Sequence, residues 1–195
     1  MPLSHLYRQL ADVFDGSQTI EKAARDALLA AEPQEDERSD FKPLTAPFLD
    51  VMSEPDALPV CQLIAQLQFD WAPPGTSDSA LYIEHSVPKV HVELVGPMGL
   101  AKSDEVRLGL YGMLPNSEYG IRTHLAEETY IMLAGQVMWK RGTQPYLLHK
   151  PGERSYHPSM LEHANRTTDK AFMSVYVWHG DISTESYSYA GIPTG

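Results

Sequence analysis

The sequence predicts a mainly β protein: one barrel of short strands behind an N-terminal α-helical extension. Two observations predict it. After Trp71, stretches rich in Val, Tyr and Leu alternate with Gly- or Pro-containing turns at intervals of roughly ten residues, the pattern of a sandwich or barrel. Before that point, apolar residues recur at helical spacing instead. The Trp71-Ala-Pro-Pro-Gly75 segment separates the two regimes, so the expected division is a helical extension over 1–72 and a barrel over 73–195.

Leu3, Leu6, Tyr7, Leu10 and Val13 predict a first helix that stops near Asp15-Gly16. Ser17 or Thr19 is expected to cap a second, which carries Ile20, Ala23, Ala24, Ala27 and Leu28 on one stripe. Residues 32–40 are polar and read as a solvated loop. A third short helix is expected over 57–67, with Val60, Leu63, Ile64 and Leu67 facing inward. These helices are expected to pack on the barrel or to form a homodimer contact. Strands are expected over 80–84, 90–95, 106–113, 129–133, 136–140, 146–149 and 173–178, with another starting at His163. The tail over 181–195, rich in Ser, Tyr and Gly, is expected to wrap the surface.

Composition removes several function classes. The chain has 26 acidic and 15 basic residues, a formal charge of −11, which disfavours nucleic-acid backbones. Twelve acids and five bases lie in 1–60, so most of the excess sits on the extension. Cys61 is the single cysteine, which excludes an internal disulfide and any centre needing two thiolates. No apolar run approaches the ~18 residues of a membrane span, and no signal peptide is visible, so a cytoplasmic protein without membrane partners is expected.

The informative stretch is Thr123-His124-Leu125-Ala126-Glu127-Glu128-Thr129-Tyr130. His124, Glu128 and Tyr130 share parity, so in an extended chain they face one side. Buried together, an imidazole, a carboxylate and a phenol need a common partner, and a divalent metal satisfies all three. A further histidine is then expected from another strand. His163 is the candidate, with His157 its rival; His91 is a candidate pocket residue.

Two motifs carry a resemblance to the cupin superfamily. His124, three residues, Glu128, six residues and Gly135 match the first cupin motif; Gly152, five residues, Pro158 and then His163 match the second. Arg122 stands where the first histidine of the usual His-x-His pair is common, Asn116 at a motif glycine and Met160 at another. More narrowly, a helical region of about 70 residues followed by one barrel with Tyr119, His124, Glu128, Tyr130, His163 and Trp178 resembles the cupin dimethylsulfoniopropionate lyases. The resemblance implies a single cupin β-barrel, or double-stranded β-helix, behind the extension. It implies a divalent metal held by His124, Glu128, Tyr130 and His163, zinc or iron first, then manganese, cobalt or nickel. It also implies a small zwitterionic substrate cleaved by β-elimination to dimethyl sulfide and acrylate. Tyr130 is then the expected base, with Tyr119 the rival. Trp178 and Tyr156 are expected to offer aromatic faces to the sulfonium, and Arg122 to meet the carboxylate. A dioxygenase or isomerase on another small carboxylate, or a non-catalytic ligand-binding cupin, are the alternatives that one fold allows.

Overall fold

The computed structural model describes residues 2–32 and 41–193. Among the described residues, five helices and ten strands follow one another. They are α1 (Pro2–Val13), α2 (Thr19–Ala30), α3 (Ala46–Met52), α4 (Val60–Gln66), α5 (Ala80–Ser86), β1 (Lys89–Val95), β2 (Val106–Met113), β3 (Glu118–Thr123), β4 (Glu127–Gly135), β5 (Val137–Arg141), β6 (Leu147–His149), β7 (Arg154–His157), β8 (His163–Arg166), β9 (Phe172–His179) and β10 (Ser188–Gly191). Apart from Glu32, the expected polar loop over 32–40 lies outside the described residues. No helix among the described residues is long and apolar enough to cross a membrane.

The strands form two five-stranded sheets, ordered β1-β2-β9-β4-β7 and β10-β3-β8-β5-β6, with every named pair antiparallel. This is the cupin barrel, and the first sheet shows why its strands read as continuous apolar runs. Leu108 and Leu110 of β2, Ile131 and Leu133 of β4, and Val175 and Val177 of β9 join a core with Leu6, Leu10, Phe14, Ile20 and Leu28 of the helical extension. The alternate residues Tyr111, Tyr130, Met132, Tyr176 and Trp178 belong to a second core with Tyr119 and Trp139 of the facing sheet. Both faces are therefore buried, one under helices and one inside the barrel. Tyr7 fixes the first helix by donating its hydroxyl proton to the Leu94 carbonyl at 2.7 Å. Arg154 of β7 donates to Glu21 of α2 at 2.8 Å and also pairs with Asp15.

Three local expectations need correction, and one helix is added. Residues 80–84 are helical: Ser79 Oγ accepts from the Tyr82 amide at 3.2 Å and caps α5. The exposed Leu81 and Ile83 supply the alternation that imitates a strand, while Tyr82 is the buried anchor. Neither Ser17 nor Thr19 caps α2; Gln18 occupies the cap position and makes no side-chain cap bond. Helix α3 has no counterpart among the expectations, because seven residues are too few to show a helical period. The tail is not a surface wrap alone, since β10 pairs with β3 and completes the second sheet.

Asn116 and Met160, which stand at motif glycines, are the two non-glycine residues with positive φ among the described residues, at 53° and 62°. The backbone thus keeps the left-handed geometry although the glycines are gone. Gly135 cannot be replaced in this way: at φ 68°, an added Cβ would lie 2.1 Å from the Ala171 carbonyl oxygen.

Candidate metal centre

Strand register brings the chemistry together. Glu128 of β4 lies opposite Trp178 of β9 on one side and His157 of β7 on the other. In the facing sheet Arg122 of β3 lies opposite His163 of β8, and His124 follows directly after β3. The two histidines of one sheet thereby meet the carboxylate of the other. Ligand atoms of His124, Glu128 and His163 all lie within 4.8 Å of one another, and all three residues are buried.

Hydrogen bonding sets the imidazole tautomers. His124 Nδ1 lies 3.0 Å from the Ala126 carbonyl, and His163 Nδ1 lies 2.8 Å from the Leu161 carbonyl. A carbonyl only accepts, so each Nδ1 carries the proton and each Nε2 presents a lone pair. Those Nε2 atoms lie 3.4 and 3.2 Å from Glu128 Oε2, and neither has a hydrogen-bond partner among the described residues. Three lone-pair donors aimed at one point repel each other unless a cation sits among them. This donor set fits a divalent metal bound by nitrogen and oxygen. The backbone carbonyls act as the outer partners that orient the imidazoles.

Neighbouring groups hold the set in place. Trp178 Nε1 donates to Glu128 Oε1 at 2.5 Å, and its indole stacks on His124 with ring centroids 4.1 Å apart. His157, wholly buried, sits between Glu128 Oε2 (3.4 Å from Nδ1) and Ser155 Oγ (2.9 Å from Nε2) and stacks on His163. Burial opposes ionisation of Glu128, yet the imidazoles of His124, His157 and His163 around it outweigh burial and hold the carboxyl well below its usual range. Burial, and then the Arg122 charge, keep His163 well below the usual imidazole value.

A small cavity of about 40 Å³ opens beside this cluster, lined in part by Tyr119, Arg122, Glu128, Tyr130, Tyr176 and Trp178. Wider clefts at the seam between helices and barrel, such as the one lined by Gln9, Asp12, Leu58 and Arg154, contain no such ligand set among the described residues.

The family model for dimethylsulfoniopropionate lyase matches residues 22–174. The chain belongs to this family. A curated relative, the dimethylsulfoniopropionate lyase DddQ of Ruegeria pomeroyi DSS-3, is 35% identical over 91 residues, 47% of this chain and 45% of its own length. The match thus spans under half of that relative. Among solved structures, a chain from the crystal structures of the DMSP lyases RdDddP and RnDddQII aligns over 97% of both chains at 20% identity, with a TM-score of 0.68. The crystal structure of DddQ from Ruegeria pomeroyi DSS-3 aligns over 97% of this chain and 96% of its own at 22% identity, with a TM-score of 0.66. At those identities the likeness speaks for the fold.

In this member of the lyase family the sequence-derived residues divide clearly. His124, Glu128, Tyr130, His163, Trp178, Arg122 and Tyr119 converge on the cluster and its cavity. Tyr156 does not: its hydroxyl donates to Glu127 at 2.7 Å, on the other side of β4 from Glu128. Residue parity explains this, because Tyr156 pairs with Thr129, not with an inward residue. His157 joins the cluster with its Nε2 engaged by Ser155. Arg122, at the position where histidine is common, donates to Asn165 Oδ1 at 3.1 Å and lies over the Tyr119 ring, 4.0 Å from its centroid.

Sequence reasoning missed Tyr111, Tyr176, Tyr187 and Lys89. Tyr111 and Tyr176 had a usable signal, since they alternate with the helix-facing Leu110 and Val175. Tyr187, whose hydroxyl pairs with that of Tyr119, sits in a stretch with no periodicity. Lys89 gave no signal: its amine is buried against the Tyr119 ring, 3.1 Å from the centroid, with no hydrogen-bond partner among the described residues.

Proposed function

We propose that this chain cleaves dimethylsulfoniopropionate to dimethyl sulfide and acrylate by metal-dependent β-elimination. One observation carries the reading: two unpartnered imidazole nitrogens and a carboxylate converge beside a small cavity walled by aromatic rings and one guanidinium. Membership of the lyase family supports it.

His124, Glu128 and His163, with Tyr130 completing the set, would hold the metal. A bound divalent ion, zinc or iron first and then manganese, cobalt or nickel, supplies positive charge that stabilises the developing enolate and lowers the pKa of an adjacent phenol. Arg122, whose guanidinium lines the cavity, orients the substrate carboxylate. Tyr130 takes the proton from the carbon beside that carboxylate. The freed electron pair forms the carbon–carbon double bond while the carbon–sulfur pair leaves with sulfur. Dimethyl sulfide departs neutral, so no acid is needed. Trp178 secures Glu128 and lends its ring face to the sulfonium.

Without a cation, burial and the Glu128 carboxylate push the Tyr130 phenol well above its usual range. The reading therefore requires that metal-free protein be inactive. Protein stripped with chelator and reloaded with each metal in turn is incubated with dimethylsulfoniopropionate, and dimethyl sulfide is measured by gas chromatography. Release in at least one loaded sample and none in stripped protein is expected. Absence of product with every metal overturns the reading. Tyr130→Phe is expected to remain folded and lose turnover by about 10²-fold or more. Loss in Tyr119→Phe with retention in Tyr130→Phe would transfer the role of base to Tyr119.

A further inference from the structure

The reaction above leaves one buried amine without a task. Lys89, the first residue of β1, is wholly buried, and its amine has no hydrogen-bond partner among the described residues. It sits over the Tyr119 ring, 3.1 Å from the centroid, and the Arg122 guanidinium sits over the same ring at 4.0 Å. Both distances start from one centroid, so the two groups are at most about 7.1 Å apart.

Neither group has an anion of its own. Arg122 donates to the Gly120 carbonyl at 3.4 Å and to Asn165 Oδ1 at 3.1 Å, which are neutral acceptors. Among the described residues no carboxylate forms an ion pair with Arg122 or Lys89. Glu128, which lines the same cavity as Arg122, faces His124 and His163. The other groups around the amine are phenols and a thioether. Tyr82 of α5 presents its ring at 5.0 Å, and Met113 of β2 lies opposite Lys89 in register. Tyr111 of β2 and Tyr189 of β10 pack on Tyr119, and Tyr187 pairs its hydroxyl with that of Tyr119. Burial holds the phenols of Tyr111, Tyr119, Tyr187 and Tyr189 above their usual range, so they stay neutral, and Arg122 is the charge that Lys89 meets.

Two positive charges this close in a dry interior repel each other. Arginine keeps its proton, so the lysine gives up its own. The Lys89 pKa of about 6, lowered by burial and then by Arg122, agrees with this. A small carboxylate in the cavity reverses the balance, because its charge offsets that of Arg122 at the amine. A proton from solvent then joins the Nζ lone pair, and the ammonium faces the Tyr119 and Tyr82 rings.

We propose that Lys89 is a conditional second cation of the site: it takes up a proton when a small carboxylate occupies the cavity beside Arg122, and its charge strengthens the hold on that anion across the Tyr119 ring. The inference rests on the reading that Arg122 meets the ligand carboxylate, and it adds a positioning residue that touches no ligand.

The test counts protons. Acrylate is titrated by calorimetry into zinc-loaded protein at pH 6.5, in buffers of different ionisation enthalpy, for wild type, Lys89→Met and Lys89→Gln, each checked for folding by circular dichroism. Wild type is expected to take up about 0.3–0.5 proton more per acrylate bound than either variant. Its affinity for acrylate is expected to weaken about fivefold between pH 6 and pH 8, and that of the variants to change much less. Equal proton uptake in wild type and in a folded variant overturns the inference, since the proton then belongs to another group. Failure of acrylate to bind wild type also overturns it, and dimethyl sulfide release by the same preparation shows separately whether the lyase reading stands.

Discussion

Trp178 donates its indole N–H to Glu128 Oε1 at 2.5 Å, within the barrel and away from water. The bond leaves Oε2 to face His124 and His163. Trp178→Phe keeps a ring against His124 and removes the donor. The expected result is a metal affinity weakened about 10- to 100-fold, the usual range for loss of an outer partner. Competition titration against a chromogenic chelator measures it, and an unchanged affinity would reduce Trp178 to packing.

Lys89 is a stability cost that the fold carries. Its amine is buried without a hydrogen-bond partner, and burial, followed by the Arg122 charge, lowers its pKa to about 6. The unfolded lysine keeps the usual 10.5. Between these values the unfolded state binds the extra proton, so the penalty grows as pH falls from 10.5 toward 6. Lys89→Met is expected to stabilise the protein by roughly 1–4 kcal/mol at pH 7. Urea unfolding at pH 7 and pH 10 checks it, with the larger gain expected at pH 7.

Met160 occupies the left-handed region at φ 62° with half of its surface exposed. Its amide donates to the His124 carbonyl at 2.9 Å, a bond that glycine retains. Met160→Gly removes the steric penalty at little cost in burial. An increase of about 0.5–1 kcal/mol in unfolding free energy is expected. A loss of stability would show that the Met160 side chain contributes packing that outweighs its backbone strain.

His91 makes stability depend on acid. Its folded pKa is about 4, against 6.5 in the unfolded chain, so below pH 6.5 the unfolded state takes up a proton that the folded state refuses. Stability from this group is complete above pH 6.5 and declines as pH falls toward 4, by about 3 kcal/mol at most. His91→Gln, which does not titrate, is expected to flatten the slope of unfolding free energy against pH in that window. An identical slope in the variant would assign the acid sensitivity to other groups.

The helix-forming stripes of α1 and α2 and most strands were legible because each buries a face with a regular period. The stretch 80–84 was misread because exposed Leu81 and Ile83 alternate like a strand, whereas one capping hydroxyl at Ser79 decides for a helix. The metal-ligand candidates were legible from the parity of His124, Glu128 and Tyr130 together with motif spacing to His163. Tyr156 was misassigned because the sequence shows that an aromatic residue is near the motif, not which side of its strand it faces.

The amino-acid sequence by itself determined most of the helices and strands, the residue types able to hold a metal and the exclusion of a disulfide or a two-thiolate centre, because these follow from local periodicity and from composition. Only the tertiary structure decided which atoms face one another. Antiparallel register set Glu128 beside Trp178 and His157, and the closing of one sheet over the other brought His124 and His163 to the same carboxylate. The same closure buried Lys89 against Tyr119 and joined His91 to Tyr176, 85 positions apart in the chain. Such contacts depend on strand pairing between distant segments, where a shift of one residue exchanges the inner face for the outer, and a single sequence does not mark which register is adopted.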